Sequence, residues 1–147
     1  MKAFGILLII AVLAVSGCAS RESVPAAVPE SHAQEVVDMK LSIGNTVVPV
    51  TWEKNASVEA LKALCPLTVS MSMYGGFEQV GSIGQSIVRS DKQTDTGFGD
   101  IVLYSGNQIV IFYGSNSWAY TRLGHVDLSQ KEMTDLLGSG NVTIKLE

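Results

Sequence analysis

The chain has 147 residues, with 10 Lys and Arg against 14 Asp and Glu, a net charge of −4. That length suits one domain with a sizeable core, and an acidic balance without a basic run argues against nucleic-acid binding. There are two cysteines, Cys18 and Cys65. With the first used as described next, no thiol pair remains for an intrachain disulfide.

Lys2 gives the positive start of an export signal, and Phe4 to Val15 is an unbroken small-and-apolar run. The run is shorter than the roughly 20 residues a membrane-spanning helix needs. Val15-Ser16-Gly17 then brings small residues up to Cys18, because a signal peptidase cleft must admit the backbone before the cut. This stretch resembles the lipobox of bacterial lipoproteins, in which the cysteine thiol receives a diacylglyceryl group. The resemblance implies a signal peptide over 1–17, a lipid-bearing Cys18, and export to the outer side of the cell membrane or to an outer membrane. Ala19 is compatible with sorting to an outer membrane.

Residues 18–37, rich in Ala, Ser, Glu and Gln with Pro25 and Pro29, have no apolar period and read as a flexible tether. Such a tether has a root-mean-square span of roughly 25 Å. His32 lies within it as a solvated residue.

The folded domain is expected over 38–147. Met39, Leu41 and Ile43 alternate with polar residues, Gly44-Asn45 turns the chain, and Thr46 to Trp52 returns as a second strand. Asn55 can cap a helix that buries Val58, Leu61, Leu64 and Cys65, ended by Pro66. In this reading Cys65 is a small buried hydrophobe. Leu67 to Tyr74 alternates as a third strand with Thr68, Ser70, Ser72 and Tyr74 outward and Met71 and Met73 in the core. Gly75-Gly76 breaks it, Phe77 to Ser82 forms a fourth, and Gly84 to Gly99 reads as a long loop. Ile101 to Tyr104 and Gln108 to Tyr113 form a hairpin across Ser105-Gly106-Asn107, with both faces covered. Ala119 to Val126 is a seventh strand. Ser129 and Glu132 form a capping box for a helix burying Met133, Leu136 and Leu137, with Gly138 at a left-handed end. Val142, Ile144 and Leu146 make the last strand.

Short strands joined by tight turns favour closure, since closure removes exposed edges. The expected fold is mainly β: a closed antiparallel β-barrel of about eight strands with two short capping helices.

This element order, together with Met71-Ser72-Met73-Tyr74-Gly75-Gly76-Phe77-Glu78-Gln79-Val80-Gly81, the stretch from Gly99 to Gly114, and Trp118-Ala119-Tyr120-Thr121-Arg122-Leu123-Gly124, resembles the small bacterial cyclophilin-like domains. The resemblance covers Met39 to Leu146 and implies the cyclophilin barrel. True cyclophilins are prolyl isomerases whose third strand carries a Phe-His-Arg stretch. Here the matching strand has no arginine, histidine or lysine, so the catalytic arginine carries over to no position. Only Arg89, in the expected loop, and Arg122, on the seventh strand, could reach the site by another route.

The residues expected to face a ligand are Ser72, Tyr74, Phe77, Gln79, Arg89, Tyr113, Trp118 and Arg122, with Tyr120 a further groove aromatic. Asp91, Asp95 and Asp100 do not match a calcium loop, and Asp100 reads as a turn anchor. Glu53, Glu59 and Glu78 show no acid/base partner by spacing. His125 reads as solvent-facing, and no metal, cofactor or nucleophile signature is present. The expectation is a monomeric, membrane-anchored domain that binds a peptide or small ligand without catalysis. The alternatives are a weak or divergent prolyl isomerase assisting exported proteins, and a non-catalytic accessory or scaffold lipoprotein.

Overall fold

The structure is a computed structural model and describes residues 39–147. The signal at 1–17, Cys18, the tether to residue 37 and His32 lie outside the described residues. No helix among the described residues is long and apolar enough to cross a membrane.

Two antiparallel sheets enclose the core. The first contains β1 (Leu41–Ile43), β2 (Thr46–Val48), β4 (Leu67–Ser70) and β11 (Thr143–Leu146), in the order β2-β1-β11-β4. The second contains β3 (Val50–Trp52), β5 (Ser72–Tyr74), β6 (Glu78–Ser82), β8 (Asp100–Tyr104), β9 (Gln108–Phe112) and β10 (Asn116–Val126). Its order is β3-β10-β8-β9-β6-β5, with β7 (Lys92–Thr96) pairing β10. Helices α1 (Ala56–Lys62) and α2 (Gln130–Leu137) complete the domain.

The expected single closed ladder is not what the hydrogen bonds form, because no sheet closes on itself. The expected second strand breaks at Pro49, which has no N–H to give to a ladder, so β2 and β3 lie in different sheets. The expected third strand breaks at Met71, which sends β4 and β5 to different sheets. Both breaks join edge strands of one sheet to edge strands of the other. Within the expected Gly84–Gly99 loop, Lys92 to Thr96 is a strand that pairs with the first half of β10, in register Trp118↔Thr94 and Tyr120↔Lys92. Two breaks and one added strand turn the expected eight into eleven.

Leu41, Ile43, Val69, Met71, Ile101, Leu103, Ile109, Ile111, Ile144 and Leu146 fill the space between the sheets with α1 and α2 residues. Each fully buried aliphatic side chain contributes on the order of 1.5–3 kcal/mol of transfer free energy. Met71 is core as expected, but Met73 is exposed on β5. On α1 the Asn55 side chain accepts from the Val58 amide. The helix ends at Lys62, short of Cys65, whose half-buried thiol donates to the Leu61 carbonyl and is pushed up in pKa by burial. The capping box at Ser129 and Glu132 forms as expected. Gly138 does not adopt the left-handed conformation: its φ is −89°.

At one corner the sheets approach so closely that only glycine fits. A Cβ on Gly81 would meet the Met71 sulfur and a Val69 methyl at 2.5 Å and the Ser70 carbonyl at 2.8 Å. Gly97, by contrast, has open space around its Cβ position. Gly81→Ala should therefore destabilise the domain by about 1–3 kcal/mol in chemical denaturation, while Gly97→Ala should leave the midpoint nearly unchanged.

Candidate functional site

The register of the second sheet decides which side chains face away from the core. Antiparallel partners project to the same face, so each ladder rung places a row there. One row is Tyr74, Glu78 and Phe112; the next is Ser72, Val80, Val110 and Val102; a third is Ser82, Gln108 and Tyr104. Beyond them β10 contributes Asn116, Trp118 and Tyr120 at alternating positions.

These rows form a second apolar cluster outside the main core, with Val102, Val110, Phe112 and Tyr120 buried and Phe77 and Val80 packed against them. Both faces of β8 and β9 are thus covered, as their unbroken apolar sequence implies. Above the cluster is a hollow of about 430 Å³, within the range of small-ligand sites. Val80 and Val110 form its floor, Tyr74, Tyr104, Trp118 and Tyr120 its walls, and Gln108 and Asn116 add amide groups. Trp118 and Tyr74 are 57% and 65% exposed, large aromatic surface left in water. Tyr120 is held edge-to-face by Phe112 and Tyr104, at 5.8 and 6.0 Å between ring centroids, and the Asn116 amide donates to its hydroxyl at 3.0 Å.

The turn before Glu78 fixes the near wall. Gly75 and Gly76 both have positive φ, and a Cβ on Gly75 would overlap the Phe77 ring. That ring instead folds back over the turn and meets Tyr74 edge-on at 6.4 Å. The Phe77 carbonyl accepts from the amides of Tyr113 and Gly114, both at 2.9 Å, which ties the turn to the end of β9.

Glu78 lines the hollow from below the aromatic rim. It is only 5% exposed, and its Oε2 is buried without a hydrogen-bond partner. Burial in this apolar setting disfavours the charged form and pushes its pKa from 4.5 up to about 7. Burial and the nearby Glu78 charge raise the Tyr120 hydroxyl as well, against the lowering effect of the Asn116 bond.

The expected site residues separate into three places. Tyr74 and Trp118 stand on the hollow, Ser72 lies exposed on the same face of β5, and Phe77 supports the wall. Gln79 faces the opposite way and is 0% exposed: its Nε2 donates to the carbonyls of Leu137, at 2.7 Å, and Gly140, at 2.6 Å. It satisfies carbonyls at the end of α2 rather than meeting solvent. Tyr113 also turns into the main core, with its hydroxyl buried and unpartnered.

Arg89 and Arg122 line a second cleft of about 640 Å³ with Lys92, beside the start of α1. Arg89 pairs with Asp91 at 3.5 Å. Arg122 pairs with Asp100 at 3.3 Å and donates to the Asp95 carbonyl at 2.8 Å. Asp100 also accepts from the Gly97 amide, as a turn anchor should, and lies 3.0 Å from the half-buried His125 Nδ1. Among the described residues no group of three His, Cys, Asp or Glu is placed to hold a metal ion.

Sequence reasoning missed Glu78, Tyr104, Gln108 and Asn116. The signal for Glu78 was its place in the strand: once Gln79 points inward, Glu78 must share a face with the aromatics.

Because the folded-state pKa of Glu78 lies above its unfolded value, the native state binds more protons between pH 4.5 and about 7. Stability should therefore fall as pH rises through that window and stay lower above it. Glu78→Gln should remove this slope and raise stability at pH 8 by on the order of 1–3 kcal/mol relative to the parent. Thermal unfolding of both proteins at pH 4.5, 6 and 8 checks it.

The model of the family described as the cyclophilin-like family matches residues 41–147. No curated protein matches the chain at a significant level. The match spans both sheets and every element that builds the hollow, and the chain belongs to the cyclophilin-like family.

Proposed function

We propose that this chain is a cell-envelope lipoprotein whose cyclophilin-like domain binds a peptide or small ligand in the hollow of its second sheet, without catalysing a reaction. The observation that carries the reading is the composition of that hollow. Aromatic and aliphatic side chains and a buried carboxyl line it, and none of its lining residues is Arg, Lys or His.

Prolyl isomerisation must cross a barrier of about 18–20 kcal/mol set by amide resonance. A fixed donor or cation stabilises the twisted amide. Glu78 supplies the opposite sign, and the guanidinia of Arg89 and Arg122, which line the neighbouring cleft, are engaged by the carboxylates of Asp91 and Asp100. The hollow is built to hold apolar and aromatic groups in a fixed place, which is sufficient for binding. The two sheets, joined through the corners at Pro49 and Met71, act in this reading as one barrel wall that keeps the hollow rigid.

Lipidation of Cys18 and export rest on the order of Lys2, the apolar run and Val15-Ser16-Gly17-Cys18. A lipid at Cys18 and the following tether would hold the domain at a membrane surface with its hollow free to sample ligands.

In a protease-coupled assay with a proline-containing peptide, the full chain should give no rate above the uncatalysed one. Turnover that Arg89→Ala or Arg122→Ala abolishes would replace this reading with a divergent isomerase. In cells, Cys18→Ser should release the protein from the membrane fraction; membrane retention of that variant would contradict the lipid anchor.

A further inference from the structure

We infer that the hollow on the second sheet is a site for a small organic cation, an ammonium or quaternary ammonium group seated between the aromatic walls and the Glu78 carboxyl. The inference rests on the binding reading above and specifies the chemistry of its ligand.

Three features of the hollow converge on positive charge. The first is Glu78 itself: a carboxyl 5% exposed, lining the cavity, with Oε2 offered to no group of the protein. A buried unpaired acceptor is costly, and burying it as an anion is costlier, so a site that keeps one is completed by what enters it. The second is the wall. Aromatic faces carry the negative part of a quadrupole and attract cations within about 6 Å of the ring centroid. Tyr74, Tyr104, Trp118 and Tyr120 surround the same hollow, and tryptophan is the strongest of these partners. The third is the lack of an internal competitor, since none of the lining residues is basic.

The groups around Glu78 can be followed strand by strand. Tyr74 lies opposite on β5 and Phe112 opposite on β9. Tyr104 comes from β8 and Asn116, Trp118 and Tyr120 from β10. The ionisable groups among these are the hydroxyls of Tyr74, Tyr104 and Tyr120. The charged side chains next along this face are Arg122 on β10, in register with Val102 and paired with Asp100 of β8 at 3.3 Å, and the exposed Lys92 on β7, cross-strand from Tyr120; Arg122 and Lys92 line the adjacent cleft.

An arriving cation therefore meets one carboxyl among the lining residues. With Glu78 pushed up to about 7, a cation that pairs with its charged form releases a proton from the protonated fraction. Affinity should rise as pH increases through that value. A neutral ligand of equal shape gains the apolar contacts alone and shows no such dependence.

Calorimetric titration of the full chain with matched probes tests the assignment. One pair is choline against its uncharged carbon analogue 3,3-dimethylbutan-1-ol. The other is N-acetyl-lysinamide against N-acetyl-norleucinamide. At pH 8 at least one cation should bind about 10-fold or more tighter than its neutral counterpart, equivalent to ~1.4 kcal/mol. The advantage should shrink at pH 6 and vanish in Glu78→Gln. Trp118→Leu, altered at an exposed position, should weaken the cation by several-fold even if Glu78→Gln folds poorly.

Neutral analogues binding as tightly as the cations, or an undiminished preference in Glu78→Gln, would overturn the cation assignment while leaving the hollow a binding site. A proline-containing peptide that shifts the Trp118 and Tyr74 resonances when no cation binds would have the same consequence. If none of these probes binds, the cation assignment and the binding reading both fall.

Discussion

A carboxyl almost wholly buried at the edge of an apolar hollow sets the character of this domain. A ladder with partners on both sides, Tyr74 on β5 and Phe112 on β9, fixes the face of the sheet from which Glu78 projects. Because side chains alternate strictly along a strand, the same register that sends Glu78 outward sends Gln79 inward. There Gln79 fastens the end of α2 through two carbonyls. Core, helix anchor and hollow are therefore one arrangement: a slip of one residue would bury the carboxyl in the aliphatic core and expose the amide.

The same sheet gives the hollow a packed floor. Val102, Val110 and Phe112 are buried on its outer side as fully as Ile101, Leu103, Ile109 and Ile111 are on its inner side. A strand packed on both faces has little freedom to bend. The aromatic groups at the rim are braced in turn: Tyr120 by two rings and an amide, Tyr74 by Phe77, and Phe77 by a glycine turn that has no room for a side chain. Binding at such a site costs little conformational entropy, which favours selective capture of small groups. A wall of aromatic groups around an acid is, however, a poor tool for twisting an amide, whose stabilisation calls for a donor or a cation.

Much of the domain was legible in local sequence. The Gly44-Asn45 turn, the Asn55 cap, the Ser129–Glu132 capping box and the hairpin at Ser105-Gly106-Asn107 are signals written within a few residues, and each forms as read. The corners were not, because Pro49 and Met71 sit inside continuous alternating patterns and only the partner strands reveal a change of sheet. Strand β7 was hidden for another reason: Lys-Gln-Thr-Asp-Thr has no apolar period, and its buried positions are filled by Thr94 and Thr96. Tyr74 and Trp118 could be picked out as exposed aromatics near turns. Glu78 could not, since a glutamate in a strand reads as solvated until rings from distant β8 and β10 are brought over it. Arg89 and Arg122 were candidates by charge alone, and their acidic partners Asp91 and Asp100 became visible only in three dimensions.

The most direct test of this account is a carbon-detected NMR titration of the Glu78 side-chain carboxyl in the full chain, from pH 3 to pH 9. A midpoint of about 7 would agree with a carboxyl kept dry beneath the aromatic rim. A midpoint in the ordinary glutamate range, near 4.5, would mean that water solvates Glu78 freely and that the hollow as described does not exist.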